Sequence, residues 1–197
     1  ELCEAMAIGA KSVNLDSNLI LLGEMGIGNS TISSALAATV FGGRVERWVG
    51  AGTGSDQKGQ AHKAAIIELG IKKHGLRNNL SALLAFGGRE QAAICGAILA
   101  AREASIPVLL DGFICTAAAA PLFGTSKNSL DHCLFGHLSA EPGHRLLLEA
   151  MGKSAILDLN MRLGEGTGAA LALSILKGAI ACHNNMATFE SAGISSS

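Results

Sequence analysis

The sequence predicts a three-layer α/β/α, Rossmann-like domain with a mainly parallel sheet, and three observations carry that expectation. Short apolar runs alternate with helical stretches, glycine-rich loops stand where those runs end, and 197 residues suffice for one sizeable core. The whole chain, residues 1–197, is therefore expected to form a single α/β domain. Apolar residues make up 49% against 4% aromatics, so the core should be built from Ala, Leu and Ile, with the 25 glycines marking turns and close backbone approaches.

Residues 1–11 space Leu2, Met6 and Ala10 as a helix does. Asn18-Leu19-Ile20-Leu21-Leu22 is a short apolar run ending at Gly23, as expected of a parallel strand buried on both faces. The loop Gly23-Glu24-Met25-Gly26-Ile27-Gly28-Asn29-Ser30-Thr31 leads into a helix over 32–41, which Ser30 or Thr31 would cap and Gly42-Gly43 would stop. Strand, loop and helix start together suggest a phosphate cradle, with several N–H groups meeting one anion. The spacing is neither G-x-G-x-x-G nor G-x-x-x-x-G-K-[ST]. Glu24 suits a hydroxyl or a developing positive charge better than a phosphate, which it would repel.

A second glycine loop, Gly50-Ala51-Gly52-Thr53-Gly54-Ser55-Asp56, precedes a helix over 57–73, where Lys63 is either an anion partner or an ordinary solvated lysine. Trp48 reads as core or rim. Residues 89–104 put Ile94, Ala97, Ile98 and Ala101 on one face, the stripe of a helix packed on a sheet. Residues 106–110 read as a strand with Pro107 at its start or at an edge. Asp111 then stands at the carboxyl end of a parallel strand, where ligands bind in open α/β sheets, although a turn-forming role beside Gly112 also explains it. Residues 113–122 suit a buried, alanine-rich helix, and 124–128 a polar loop.

The run 136–145 is dense in hydrogen-bonding groups and leads into a helix over 145–151. Ser139 could donate to a phosphate or ribose there, and His137 and His144 are each either an acid or structural. Finally, Arg162-Leu163-Gly164-Glu165-Gly166-Thr167-Gly168 sets a carboxylate among glycines ahead of a helix over 169–181, whose free N–H groups would point at the same ligand. Glu165 either merely favours the positive helix end or accepts a proton in a partly dry pocket. The tail Ser195-Ser196-Ser197 is expected to be loose.

A net charge of −1 provides no basic field for nucleic acid or an acidic membrane surface. Mean hydropathy is positive, yet the longest apolar stretch, 113–123, is too short to span a bilayer and is broken by Pro121, so a soluble protein is expected. No basic-then-apolar leader opens the chain, which begins at Glu1 rather than Met. Five cysteines without C-x-x-C spacing read as reduced, mostly buried thiols in a cytoplasmic protein. Six histidines form no metal-binding pattern.

Four motifs, in order, are Gly23-Glu24-Met25-Gly26-Ile27-Gly28-Asn29, Leu110-Asp111-Gly112-Phe113-Ile114, Ser139-Ala140-Glu141-Pro142-Gly143-His144 and Arg162-Leu163-Gly164-Glu165-Gly166-Thr167-Gly168. With Asn185-Met186-Ala187-Thr188-Phe189 near the end, their order and spacing resemble the nicotinate-nucleotide:dimethylbenzimidazole phosphoribosyltransferase family over nearly the whole chain. The resemblance implies a cytoplasmic homodimeric enzyme of cobalamin lower-ligand synthesis. Such an enzyme moves phosphoribose from nicotinate mononucleotide to 5,6-dimethylbenzimidazole, yielding α-ribazole 5′-phosphate and nicotinate, with no metal or organic cofactor.

It further implies that Glu165 is the general base, with Glu24 a second acid near the reacting centre and Gly26, Gly28, Lys63 and Ser139 on stretches that hold the nucleotide. Asn29, Gly52, Gly54, Asp111, Gly164 and Gly166 complete the expected substrate-binding set. Family members extend upstream of the point matching Glu1, and that part helps to form the benzimidazole side of the site and to pack the dimer. The chain therefore reads as the carboxyl-terminal portion of a longer family chain. A nucleotide-binding domain without catalysis is one alternative. Another is an unrelated Rossmann-like methyltransferase, which would want its ligand loop after the first strand.

Overall fold

Four short runs, Ile20–Leu22 (β1), Val108–Leu110 (β2), Cys133–His137 (β3) and Ala155–Leu157 (β4), form one parallel sheet in the order β1-β2-β3-β4. The computed structural model describes residues 1–52 and 54–194, so Thr53 and the tail expected to be loose lie outside the described residues. Parallel neighbours require long crossovers. Here they are helical: Leu2–Lys11 (α1) precedes β1, and Asn29–Phe41 (α2), Gln57–His74 (α3), Ser81–Phe86 (α4) and Arg89–Glu103 (α5) join β1 to β2. Phe113–Thr125 (α6) joins β2 to β3, Pro142–Met151 (α7) joins β3 to β4, and Thr167–Asn185 (α8) follows β4.

Strand side chains alternate between faces, and β2 shows the consequence. Val108 and Leu110 enter the main core with α2, α5, α6 and α7, whereas Leu109 points the other way, against Ala169 and Ala172 of α8. The architecture is the expected α/β/α, with α8 the helix among the described residues that covers the second face. α1 lies outside α5, and glycines let the two backbones touch. A Cβ on Gly9 would fall 1.8 Å from the Ala93 carbonyl oxygen, and one on Gly96 would fall 1.9 Å from that of Met6.

Three expectations need correction. β1 is half-buried rather than buried on both faces, because it is an edge strand and α8 covers its outer face only in part. Neither Ser30 nor Thr31 caps α2: both lie inside its first turn, and Gly28, with φ +88°, is the N-cap. The stretch 124–128 is not one loop, since α6 runs to Thr125 and Lys127–Leu130 forms a 3-10 turn. Of the cysteines, Cys95, Cys115 and Cys133 are buried free thiols, while Cys3 and Cys182 are exposed. Among the described residues, no helix is long and apolar enough to cross a membrane.

Candidate active site

Parallel pairing brings the carboxyl ends of the strands to one edge of the sheet. Register aligns Leu22, Leu110 and Phe135, so the residues that follow, Glu24, Asp111 and His137, surround a common space. A cavity of about 320 Å³ opens there. Glu24, Gly26, Gly28, Asn29, Gly52, Asp111, Ser139, Gly164 and Glu165 all line it, so most of the expected site residues meet in one place. Gly54, Lys63 and Gly166 do not line it, although Lys63 bonds to the lining residue Ser30.

The acidic side is built from β1 and the loop before α8. Asn29, buried at the start of α2, donates its Nδ2 hydrogen to Glu24 Oε2 and fixes that carboxylate. Burial, opposed by the Asn29 hydrogen bond and reinforced by the charges of Asp111, Glu90 and Glu165, raises the Glu24 pKa above its ordinary 4.5. A carboxyl whose folded pKa is raised binds its proton more tightly in the folded chain. Stability is therefore lost as pH rises from the unfolded value through the folded one. Glu24→Gln is accordingly expected to raise Tm at neutral pH, with the gain shrinking as pH falls through the raised folded value and gone below 4.5. Calorimetry across pH 4–8 checks this, and an unchanged or lower Tm at pH 7 would contradict it.

Glu165 sits at the exposed rim in an unusual turn. Gly164, Glu165 and Gly166 have φ of +82°, +60° and +80°, three successive left-handed residues. For a residue with a Cβ that conformation costs about 1–2 kcal/mol. The surroundings impose it: Thr167 Oγ1 donates to the Gly164 carbonyl at 2.8 Å, and the Gly166 backbone packs so closely on Gly23 that a Cβ there would lie 2.5 Å from the Gly166 nitrogen.

The expectation that the first amides of α8 are free for a ligand is corrected by Asp111. Its Oδ2 accepts the Gly166 N–H at 3.2 Å and its Oδ1 the Ala169 N–H at 2.9 Å, while the residue itself is 2% exposed. A protein carboxylate already satisfies the anion-attracting helix start.

Two buried histidines stand behind this floor. The Ser139 N–H donates to His144 Nδ1 at 2.9 Å, so the ring's hydrogen is on Nε2, 3.0 Å from Thr116 Oγ1. Burial and the neighbouring His137 push the His144 pKa down to about 3, so this ring stays neutral and positions Ser139 rather than transferring protons. His137 is 1% exposed and neither ring nitrogen has a hydrogen-bond partner among the described residues; its Nε2 is 3.6 Å from Asp111 Oδ1, too long for a hydrogen bond. Gly112 and Gly168 leave room for the ring.

Two cations stand near the cavity as well. Lys63 reaches back from α3 to Ser30 Oγ at 3.2 Å, and no ion pair involving it occurs among the described residues. Arg162, singled out by no role in the sequence, donates to the Gly52 carbonyl and pairs with Glu141 Oε1 at 3.2 Å. Both cations converge on Gly52, where a Cβ would lie 3.1 Å from Lys63 Nζ. Cys115 also lines the cavity, but burial raises its pKa and its Sγ donates to the Leu22 carbonyl, so it stays a thiol. Among the described residues, no cluster of three or more His, Cys, Asp or Glu could hold a metal ion.

A family model described as phosphoribosyltransferase matches residues 1–194. A nicotinate-nucleotide–dimethylbenzimidazole phosphoribosyltransferase from Rhodobacter capsulatus is 54% identical over 194 residues, covering 98% of this chain and 58% of that protein. One of the same name from Brucella anthropi is 55% identical over 98% of this chain and 57% of its own length. A crystal structure of CobT from Thermus thermophilus superposes with a TM-score of 0.90 at 38% identity, over all of this chain and 59% of that one. The chain thus spans a little over half the length of these relatives.

Proposed function

The chain belongs to the nicotinate-nucleotide:dimethylbenzimidazole phosphoribosyltransferase family, and from that premise we propose that it transfers phosphoribose from nicotinate mononucleotide to 5,6-dimethylbenzimidazole. The observation that carries this reading is the mixed charge of the cavity, which gathers carboxylates and cations at one place. Carboxylates of Glu24 and Glu165 line it together with Arg162, which pairs with Glu141, while Lys63 reaches the lining residue Ser30. A nucleotide with a cationic pyridinium at one end and a phosphate at the other fits a cavity that carries both signs of charge. Lys63, Arg162 and the hydroxyl of Ser139 face the phosphate end, and the glycines at 26, 28, 52 and 164 let it approach the backbone.

The chemistry follows from the carboxylates. As the ribose C1–nitrogen bond breaks, nicotinate leaves with the bonding pair, and C1 gains positive charge that Glu24 stabilises. The unprotonated ring nitrogen of the acceptor attacks the opposite face of C1, which converts the β-nucleotide into an α-product. Glu165 removes the proton from the acceptor's other nitrogen. No covalent enzyme intermediate is required. Met25 and Leu163, exposed at 77% and 67% beside the two glutamates, offer an apolar wall for the acceptor ring.

The proposed enzyme is cytoplasmic, in keeping with its free thiols, and forms a homodimer as residues 1–197 of a longer α/β chain. In favour of association, α8 leaves Leu171, Ile175 and Ile180 about half exposed on one side of the sheet. The direct test is to incubate the chain with both substrates and follow nicotinate and α-ribazole phosphate by chromatography with mass detection. A second arm supplies the amino-terminal portion of the Rhodobacter capsulatus relative as an extension. Product in either arm supports the transferase; nucleotide binding without product in both overturns it in favour of a non-catalytic binding domain.

A further inference from the structure

We infer that Asp111 is a positioning residue for Glu165 rather than a group that binds substrate. The inference rests on the reading of Glu165 as the proton acceptor. Asp111 directly follows β2, the buried inner strand, and is 55 residues away in sequence from the turn it controls. Both of its oxygens are committed, one to the Gly166 N–H and one to the Ala169 N–H. Those two amides bracket the junction between the Glu165 turn and α8. The Ala169 amide is the third of the helix, the one an N-cap side chain ordinarily satisfies. Gly166 occupies the N-cap and has no side chain to do so.

The carboxylate of Asp111 supplies that cap from another element and thereby fixes where α8 begins. With α8 fixed at one end and the Gly23 backbone stacked on Gly166 at the other, the left-handed Glu165 has one direction in which to present its carboxylate. The same argument explains why a carboxylate is used at a position 2% exposed: the amides and the positive end of α8 offset its burial. An amide cannot replace it. Asn has one oxygen and one NH2, so whichever way its amide is turned, a donor faces one of the two N–H groups.

The test is hydrogen exchange followed by mass spectrometry on the chain and its Asp111→Asn variant. Exchange at the Gly166 and Ala169 amides should accelerate about tenfold or more, the factor carried by one charge-assisted hydrogen bond, while peptides from α3 and α5 stay unchanged. Unaltered exchange over 164–169 would overturn the inference. In whichever form of the chain turns over, Asp111→Asn should lower kcat with KM for the nucleotide within about threefold. Added to Glu165→Gln, it should cost almost nothing further, since both act through one group. Independent, multiplying effects would show that Asp111 acts elsewhere. If Asp111→Asn does not unfold cooperatively, Asp111→Ser, with one shorter acceptor, takes its place in both measurements. If Glu165→Gln retains full turnover, the base assignment fails, while the exchange result still decides whether Asp111 holds the turn.

Discussion

Glu165→Gln is expected to leave the unfolding transition in place and to lower turnover at least about a hundredfold. The fold does not depend on this side chain: it is exposed and makes no hydrogen bond or ion pair among the described residues. Gln can occupy the same left-handed position at a similar cost, because the turn is set by Asp111, Thr167 and Gly23 rather than by Glu165 itself. What is lost is an acceptor for the acceptor-ring proton, which must then go to water. Steady-state rates at saturating concentrations of both substrates, with calorimetry as the control for folding, decide the matter. Near-normal turnover would remove Glu165 from the base role. It would turn attention to Glu24, the other carboxylate in the cavity, whose orientation Asn29 fixes and whose pKa is raised.

What could be read from the sequence follows physical lines. β2 was visible because a parallel strand buried on both faces has no reason to interrupt its apolar run, and the glycine loops were visible because close approach leaves few other residues possible. β3 was not, since Cys133-Leu134-Phe135-Gly136-His137 ends in a glycine that lets α8 approach and a histidine facing the cavity floor. β4 is a half-buried edge strand of three residues, too short for alternation to show. The Glu165 motif falls on the cavity, but nothing in the motif indicates what supports its turn. Asp111 lies 55 residues away, and nothing local links a turn former after a strand to the amides of a later helix. Arg162 and Glu141 both lay within motifs already singled out. A long cation two residues before a glycine turn was the available signal, and it gained meaning only when Gly52 appeared opposite.

Gly168→Ala is expected to be among the most damaging single-methyl additions in the chain. A Cβ at Gly168 would fall 1.8 Å from His137 Cδ2 and 2.4 Å from its Cγ, on a ring that is itself fully enclosed. Neither side can yield cheaply. The first turn of α8 is bound to Asp111 through Ala169, and it rests directly on β3, where a Cβ on Gly136 would lie 2.9 Å from the Ala169 Cα. Overpacking of this kind costs about 1–3 kcal/mol or more, and the upper end applies because the obstacle is a ring held between two glycines. For a domain this size, about 3 kcal/mol lowers Tm by about 6–12 °C, which scanning calorimetry resolves. The cause can be isolated with a second substitution. Since neither ring nitrogen of His137 has a hydrogen-bond partner among the described residues, His137→Ala removes the obstacle without breaking one there, so the double variant should melt above Gly168→Ala alone. A double variant no more stable than the single one would place the damage in the helix start itself. In either case α8 must shift to admit the methyl, and Glu165, two residues before the helix, shifts with it, so product formation should fall further than the loss of folded protein accounts for.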